Sequence, residues 1–83
     1  MKITLELFGA SRDFSKKDYL EFKIEKIIEI KDFRGKIINY LDQNFKKIVN
    51  SSSFCSEDNN IINDNYKISK DQKIGIIPPI GGG

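Results

Sequence analysis

The residues whose types and spacing could do chemistry stand together at one end of the chain: Ile77-Pro78-Pro79-Ile80-Gly81-Gly82-Gly83. Elsewhere the reactive side chains do not assemble. There is no His, so a Ser–His or Cys–His nucleophile pair is impossible. The single cysteine, Cys55, can form no internal disulfide and makes no zinc site. No glycine-rich phosphate loop is present, and the carboxylates are scattered over expected surface. A complete catalytic site within this chain is therefore not expected. What the tail offers instead is a carboxylate on Gly83, to be delivered into another protein.

Each tail residue fits that task. Proline holds φ near −65° and removes a backbone donor, so Pro78 and Pro79 favour a stiff, extended arm. Ile77, placed before a proline, is pushed toward extended geometry as well. Gly81, Gly82 and Gly83 have no Cβ and can thread where side chains would clash. Ile80, between the stiff and the thin parts, is a candidate anchor for apolar surface at a channel mouth. Bare glycines also describe a frayed terminus, but a frayed terminus has no reason to follow Ile-Ile-Pro-Pro-Ile.

The rest of the chain must position this arm. With 83 residues it is read as one domain, 1–76, with a tail over 77–83. Hydrophobic residues make up 39% and charged residues 31%, a balance that argues for a folded core and against disorder. No apolar run approaches the ~20 residues of a membrane span. The N-terminus alternates like a strand and lacks a signal peptide's apolar block, so a cytoplasmic protein is expected. The net charge of +2 is spread without a basic stripe, which argues against nucleic acid as a partner.

Alternation of Ile3, Leu5 and Leu7 marks a half-buried strand. Residues 9–13 read as a turn or short helix. Leu20, Phe22 and Ile24 alternate in a second strand, which suggests an N-terminal hairpin with a long connection. Over 30–45 the period changes. Phe33, Ile37, Leu41 and Phe45 recur every four residues and predict one amphipathic helix, with Asp32 as N-cap. Gly35 inside it should cost about 1 kcal/mol against alanine, and a close approach to the sheet would explain it. Residues 50–53 read as a loop. Short strands follow around Phe54 and Ile61, then a brief piece at Tyr66, between strong turn signals. Ile74 and Ile76 alternate into a final strand that runs directly into the prolines. The first and last strands should lie side by side in the sheet centre. The fold class is α+β: a roll with a mixed sheet of about four to five strands and one main helix across it.

This order, with a C-terminal diglycine, resembles the β-grasp or ubiquitin-like fold. More narrowly, the chain resembles the small, sulfur-carrying subunit of molybdopterin synthase in the MoaD/ThiS family. The stretch from Ile3 to Asp13, the helix and the tail from Ile76 to Gly83 carry the match. One departure is Lys70-Asp71-Gln72-Lys73, where the family often has Asp-Gly-Asp. The resemblance implies that an E1-like adenylating enzyme uses ATP to activate the Gly83 carboxylate, with no cofactor bound by the carrier itself. A sulfur donor then converts the adenylate to a thiocarboxylate. The tail enters the large subunit of molybdopterin synthase, in a heterotetramer of two of each subunit, and gives sulfur to cyclic pyranopterin monophosphate.

Ile77, Pro78, Pro79 and Ile80 are candidate partner-binding residues, with Phe8 completing an apolar patch. Arg12 is a candidate for an interfacial ion pair or for a cap on its own turn. Cys55 reads as a small core residue and Lys73 as surface. Two other classes remain open. Another sulfur-carrier pathway, such as thiamine thiazole formation, or a protein modifier joined through Gly83 would need the same adenylation. A plain interaction module with an inert tail would need none.

Overall fold

Strand β1 (Lys2–Leu7) follows directly from the alternation: Ile3, Leu5 and Leu7 are buried, while Lys2 lies in water. A 3-10 turn (Gly9–Phe14) leads to β2 (Tyr19–Lys23), which pairs antiparallel with β1 and sets Leu5 opposite Leu20. The last strand, β7 (Gln72–Ile77), pairs parallel with β1, with Leu5 beside Ile74 and Leu7 beside Ile76. Between them run β3 (Ile28–Glu29), α1 (Ile30–Tyr40), α2 (Lys46–Ser51), β4 (Ser53–Cys55), β5 (Ile61–Ile62) and β6 (Lys67–Ile68). This computed structural model describes residues 1–80. Its main sheet is mixed, with strand order β2-β1-β7-β4-β5, and β3 and β6 form a small separate ladder. The expected α+β roll with β1 and β7 adjacent in a five-stranded sheet is what forms.

Helix α1 lies across one face of that sheet. Its Ile30, Phe33 and Ile37 are fully buried against Ile3, Leu5, Phe54, Ile74 and Ile76. Each such side chain contributes about 1.5–3 kcal/mol on leaving water. Aromatic edges tie the layers: Phe33 meets Phe22 at 5.4 Å in a T-shaped contact.

The helix differs from the sequence expectation at both ends. It starts at Ile30, where the period begins, so Asp32 is not its N-cap but a first-turn residue, where an acid still suits the helix dipole. The Ile30 and Lys31 amides donate to the Tyr66 and Asp64 carbonyls, so backbone from the 64–66 loop satisfies donors that a side-chain cap would otherwise serve. The single helix over 30–45 is in fact two. Leu41 is extended and donates to the Ile37 carbonyl, closing α1. Asp42 then accepts from the Asn44 amide and opens a 3-10 turn (Gln43–Phe45) that passes into α2. Residues 50–51, read as loop, complete α2.

The break brings Phe45 onto Phe14 at 4.9 Å. It also brings the end of α2 to Arg34, whose Nη1 donates to both the Val49 and Ser52 carbonyls at 2.7 Å. The same guanidinium lies 4.7 Å from the Phe54 ring centroid and bonds the Asp64 carboxylate. Arg34 thus fastens α1, α2, β4 and the 64–66 loop together. Gly35, expected to approach the sheet, faces open space: nothing lies within 4 Å of where its Cβ would be.

Candidate functional site

The strand that carries the tail is held on both sides. β7 lies between β1 and β4, and its pairing with β4 runs to Ile77, opposite Ser53. Ile74 and Ile76 face the helix. Lys73, Gly75 and Ile77 therefore face the other way, onto the outer face of the sheet. Beyond Ile77 the two prolines differ. Pro78 is buried, whereas Pro79 is exposed and Ile80 is 95% exposed. Gly81, Gly82 and Gly83, expected to thread and to carry the reactive carboxylate, lie outside the described residues.

Phe8 continues β1 on the outer face and lies across Gly75. A Cβ placed on Gly75 would stand 2.9 Å from Phe8 Cε2 and 2.6 Å from Cys55 Sγ. The missing side chain is what lets the ring and the thiol close over β7. The glycine that a close approach demands is thus Gly75 and not Gly35. Cys55 is buried, as expected, but on this outer side beneath Phe8 and not in the core under α1. Ile61 pairs with Cys55 and shares its face, where it is 67% exposed. Phe8, Gly75 and Ile77 therefore lie together beside the point where the tail leaves, and Ile61 lies on the same face two strands away, across Cys55.

Sequence reasoning placed Phe8 and Ile77 here and missed Ile61 and Gly75. The only signal was the Ile61-Ile62 pair, and the side each residue takes depends on its pairing with β4. Arg12 is exposed on the 3-10 turn, and no carboxylate pairs with it among the described residues. Ser11 secures that turn instead: fully buried, it donates from both its amide and its hydroxyl to the Phe8 carbonyl. Lys73 is exposed, with its amide on the Glu57 carboxylate at 2.6 Å and its ammonium 3.6 Å from Glu6.

No helix among the described residues is long and apolar enough to cross a membrane. No family model matches the chain, and no curated protein matches it in sequence. Solved structures do match its shape. A protein assigned as molybdopterin converting factor subunit 1 from Pyrococcus furiosus superposes with a TM-score of 0.77 at 14% identity, covering 95% of this chain and 98% of that one. SAMP1 from Haloferax volcanii gives 0.78 at 8% identity over all of both chains. The complex of subunits 1 and 2 of molybdopterin-converting factor from Helicobacter pylori gives 0.65 at 20% identity, again over all of both chains. The chain thus has the ubiquitin-like β-grasp fold seen in these converting-factor proteins and in SAMP1.

Proposed function

We propose that this protein is a sulfur carrier that works in the cytoplasm, with Gly83 as the reactive residue and molybdenum cofactor biosynthesis as its pathway. A carboxylate is a poor electrophile. An E1-like enzyme joins the Gly83 carboxylate to the AMP portion of ATP, releasing pyrophosphate. The outer sulfur of a persulfide-bearing donor then displaces AMP to give an acyl disulfide. A thiol of the donor or of the activating enzyme cleaves its S–S bond, ending as a disulfide with the donor cysteine and leaving a thiocarboxylate on Gly83. Gly81 and Gly82 let the terminus pass into two different active sites. In the second site, formed by a large partner subunit in a heterotetramer, the thiocarboxylate sulfur attacks cyclic pyranopterin monophosphate. Water then hydrolyses the resulting thioester, leaving the sulfur on the substrate and returning Gly83 to a carboxylate. The partner supplies the acid–base groups that this chain lacks. Pro79, Ile80 and the area formed by Phe8, Ile77 and Ile61 dock against the partner, with Arg12 at the rim.

The observation that carries this reading is the construction of the exit. The tail leaves from a central strand, held by β1 and β4, next to an exposed apolar area, and its Ile80 is almost wholly in solvent. A segment meant only to end a domain needs neither a rigid diproline nor an unburied isoleucine. The likeness in fold to converting-factor subunit 1, and to a complex of subunits 1 and 2, supports the choice of pathway.

Intact mass after incubation with ATP, the activating enzyme and a sulfur donor tests the proposal. The expected product gains the mass of sulfur in place of oxygen, located at Gly83. Removing Gly82 and Gly83 should abolish the product while leaving the melting curve unchanged. Conjugates on lysines of other proteins, in place of the thiocarboxylate, would establish a modifier. Neither product with competent enzymes would leave a binding module and end the sulfur-carrier reading.

A further inference from the structure

The diproline reads in sequence as one stiff unit, yet the structure puts its two halves in different environments. Pro78 is buried and Pro79 is exposed. What stands against Pro78 is the turn after β1. Gly9 has φ +54°, and its missing Cβ would lie 3.9 Å from Pro78 Cδ. The topology obliges this meeting. β1 and β7 run parallel with Leu7 beside Ile76, so whatever follows Leu7 must travel beside whatever follows Ile76. The turn is itself fixed, since the buried Ser11 binds the Phe8 carbonyl twice, at 2.6 and 3.1 Å. Residues 8–11 thus grip β7 at two points: the Phe8 ring on Gly75 and the Gly9 backbone beside Pro78.

We propose that residues 8–11 are the seat that aims the tail. Gly9 and Pro78 are its positioning residues, and Pro79 with Ile80 is the part a partner meets. Proline fixes its own φ, and the fixed turn beside the buried Pro78 narrows the directions open to the chain beyond it. The ordering is already present before docking, which lowers the entropy lost on binding. This inference rests on the sulfur-carrier reading for its purpose, but not for its test.

The test changes the seat and leaves the tail sequence intact. Asparagine tolerates positive φ, whereas a β-branched residue does not. Gly9→Asn should keep, and Gly9→Val should lower, the nitrogen-15 relaxation order parameter of the Ile80 amide, with Ile74 and Ile76 amides protected from exchange in both. In the adenylation assay Gly9→Val should raise the KM for the carrier about tenfold with kcat unchanged, and Gly9→Asn should restore it.

Unchanged order at Ile80 in Gly9→Val, despite shifted resonances in residues 8–11, would overturn the proposal. A fall in kcat at constant KM would do the same. If Gly9→Val does not fold, the prolines decide. Pro78→Ala should lower both Tm and the order at Ile80, and Pro79→Ala should leave Tm unchanged. Equal losses of Tm, or a loss in Pro79→Ala alone, would overturn it. The order parameters need no enzyme. A wild-type protein that never forms thiocarboxylate would sink the sulfur-carrier reading and leave the seat standing.

Discussion

The outer face of the sheet, turned away from α1, is divided along the direction of β7. Toward one end it carries ion pairs: Lys2 with Glu21 at 3.1 Å, and Lys73 with Glu6, the register neighbour of Gly75, at 3.6 Å. Where β7 leaves the sheet, the face carries Phe8 just after β1 and Gly75 and Ile77 on β7, with Ile61 farther out on β5. One half answers its charges across neighbouring strands, as cross-strand diagonals do. The other leaves isoleucine in water. The difference teaches which end of the molecule is built to be covered. Under the proposed function the apolar area beside Pro79 and Ile80 is the docking surface, and the half that carries the ion pairs stays in solvent.

The strongest way to break this comparison is a charge in the apolar half. Ile61→Asp should weaken association with the proposed large partner subunit by about 2 kcal/mol, or some thirtyfold in Kd. Because Ile61 is 67% exposed, folding stability should stay within about 0.5 kcal/mol of wild type. Calorimetric titration and a denaturant melt check the two halves of this expectation. Unaltered binding would remove Ile61 from the surface and with it the argument for that half.

A smaller effect tests how the area is shaped. Gly75→Ala must displace both Phe8 and Cys55, since its Cβ would sit inside 3 Å of each. Overpacking of this kind costs about 1–3 kcal/mol. The upper part of that range is expected: Phe8 is half-buried and can swing into solvent, but the nearer Cys55 thiol is buried and has less room to move. A urea melt gives the cost, and the Phe8 ring resonances should shift. A variant as stable as wild type, with Phe8 unmoved, would show that the close approach is not real.

Much of the frame was legible in the sequence. Ile3, Leu5 and Leu7 alternate, as do Ile74 and Ile76, and a strand that must be buried on one face announces itself by that period. The tail was legible because proline and glycine act through their own backbones, without help from neighbours. What depended on distant partners was not. The helix breaks at Leu41, although Phe33, Ile37, Leu41 and Phe45 keep perfect spacing. The break lets Arg34 reach the Val49 and Ser52 carbonyls, a contact between residues fifteen and more apart. Gly35 looked like the glycine of close approach because it interrupts a helix. Gly75 is the one, and only the parallel register that lays Phe8 across it reveals this. Arg12 was a candidate to cap its own turn, yet the small Ser11 beside it makes the bonds.

The smallest effect belongs to the polar half, and it serves as the control. Lys73 and Glu6 are both substantially exposed, at 54% and 39% of their side chains. Exposed pairs of this kind contribute between nothing and about 1 kcal/mol, since water screens the charges and two long side chains must be held still. Glu6→Gln should therefore change the melting midpoint by no more than a degree or two and leave association with the partner unaltered. The Lys73 amide keeps its bond to Glu57 in that variant, so the path of β7 is not disturbed. If Glu6→Gln weakened binding as much as Ile61→Asp, the two halves of the face would not differ in purpose. The docking surface would then have to extend over the whole outer sheet.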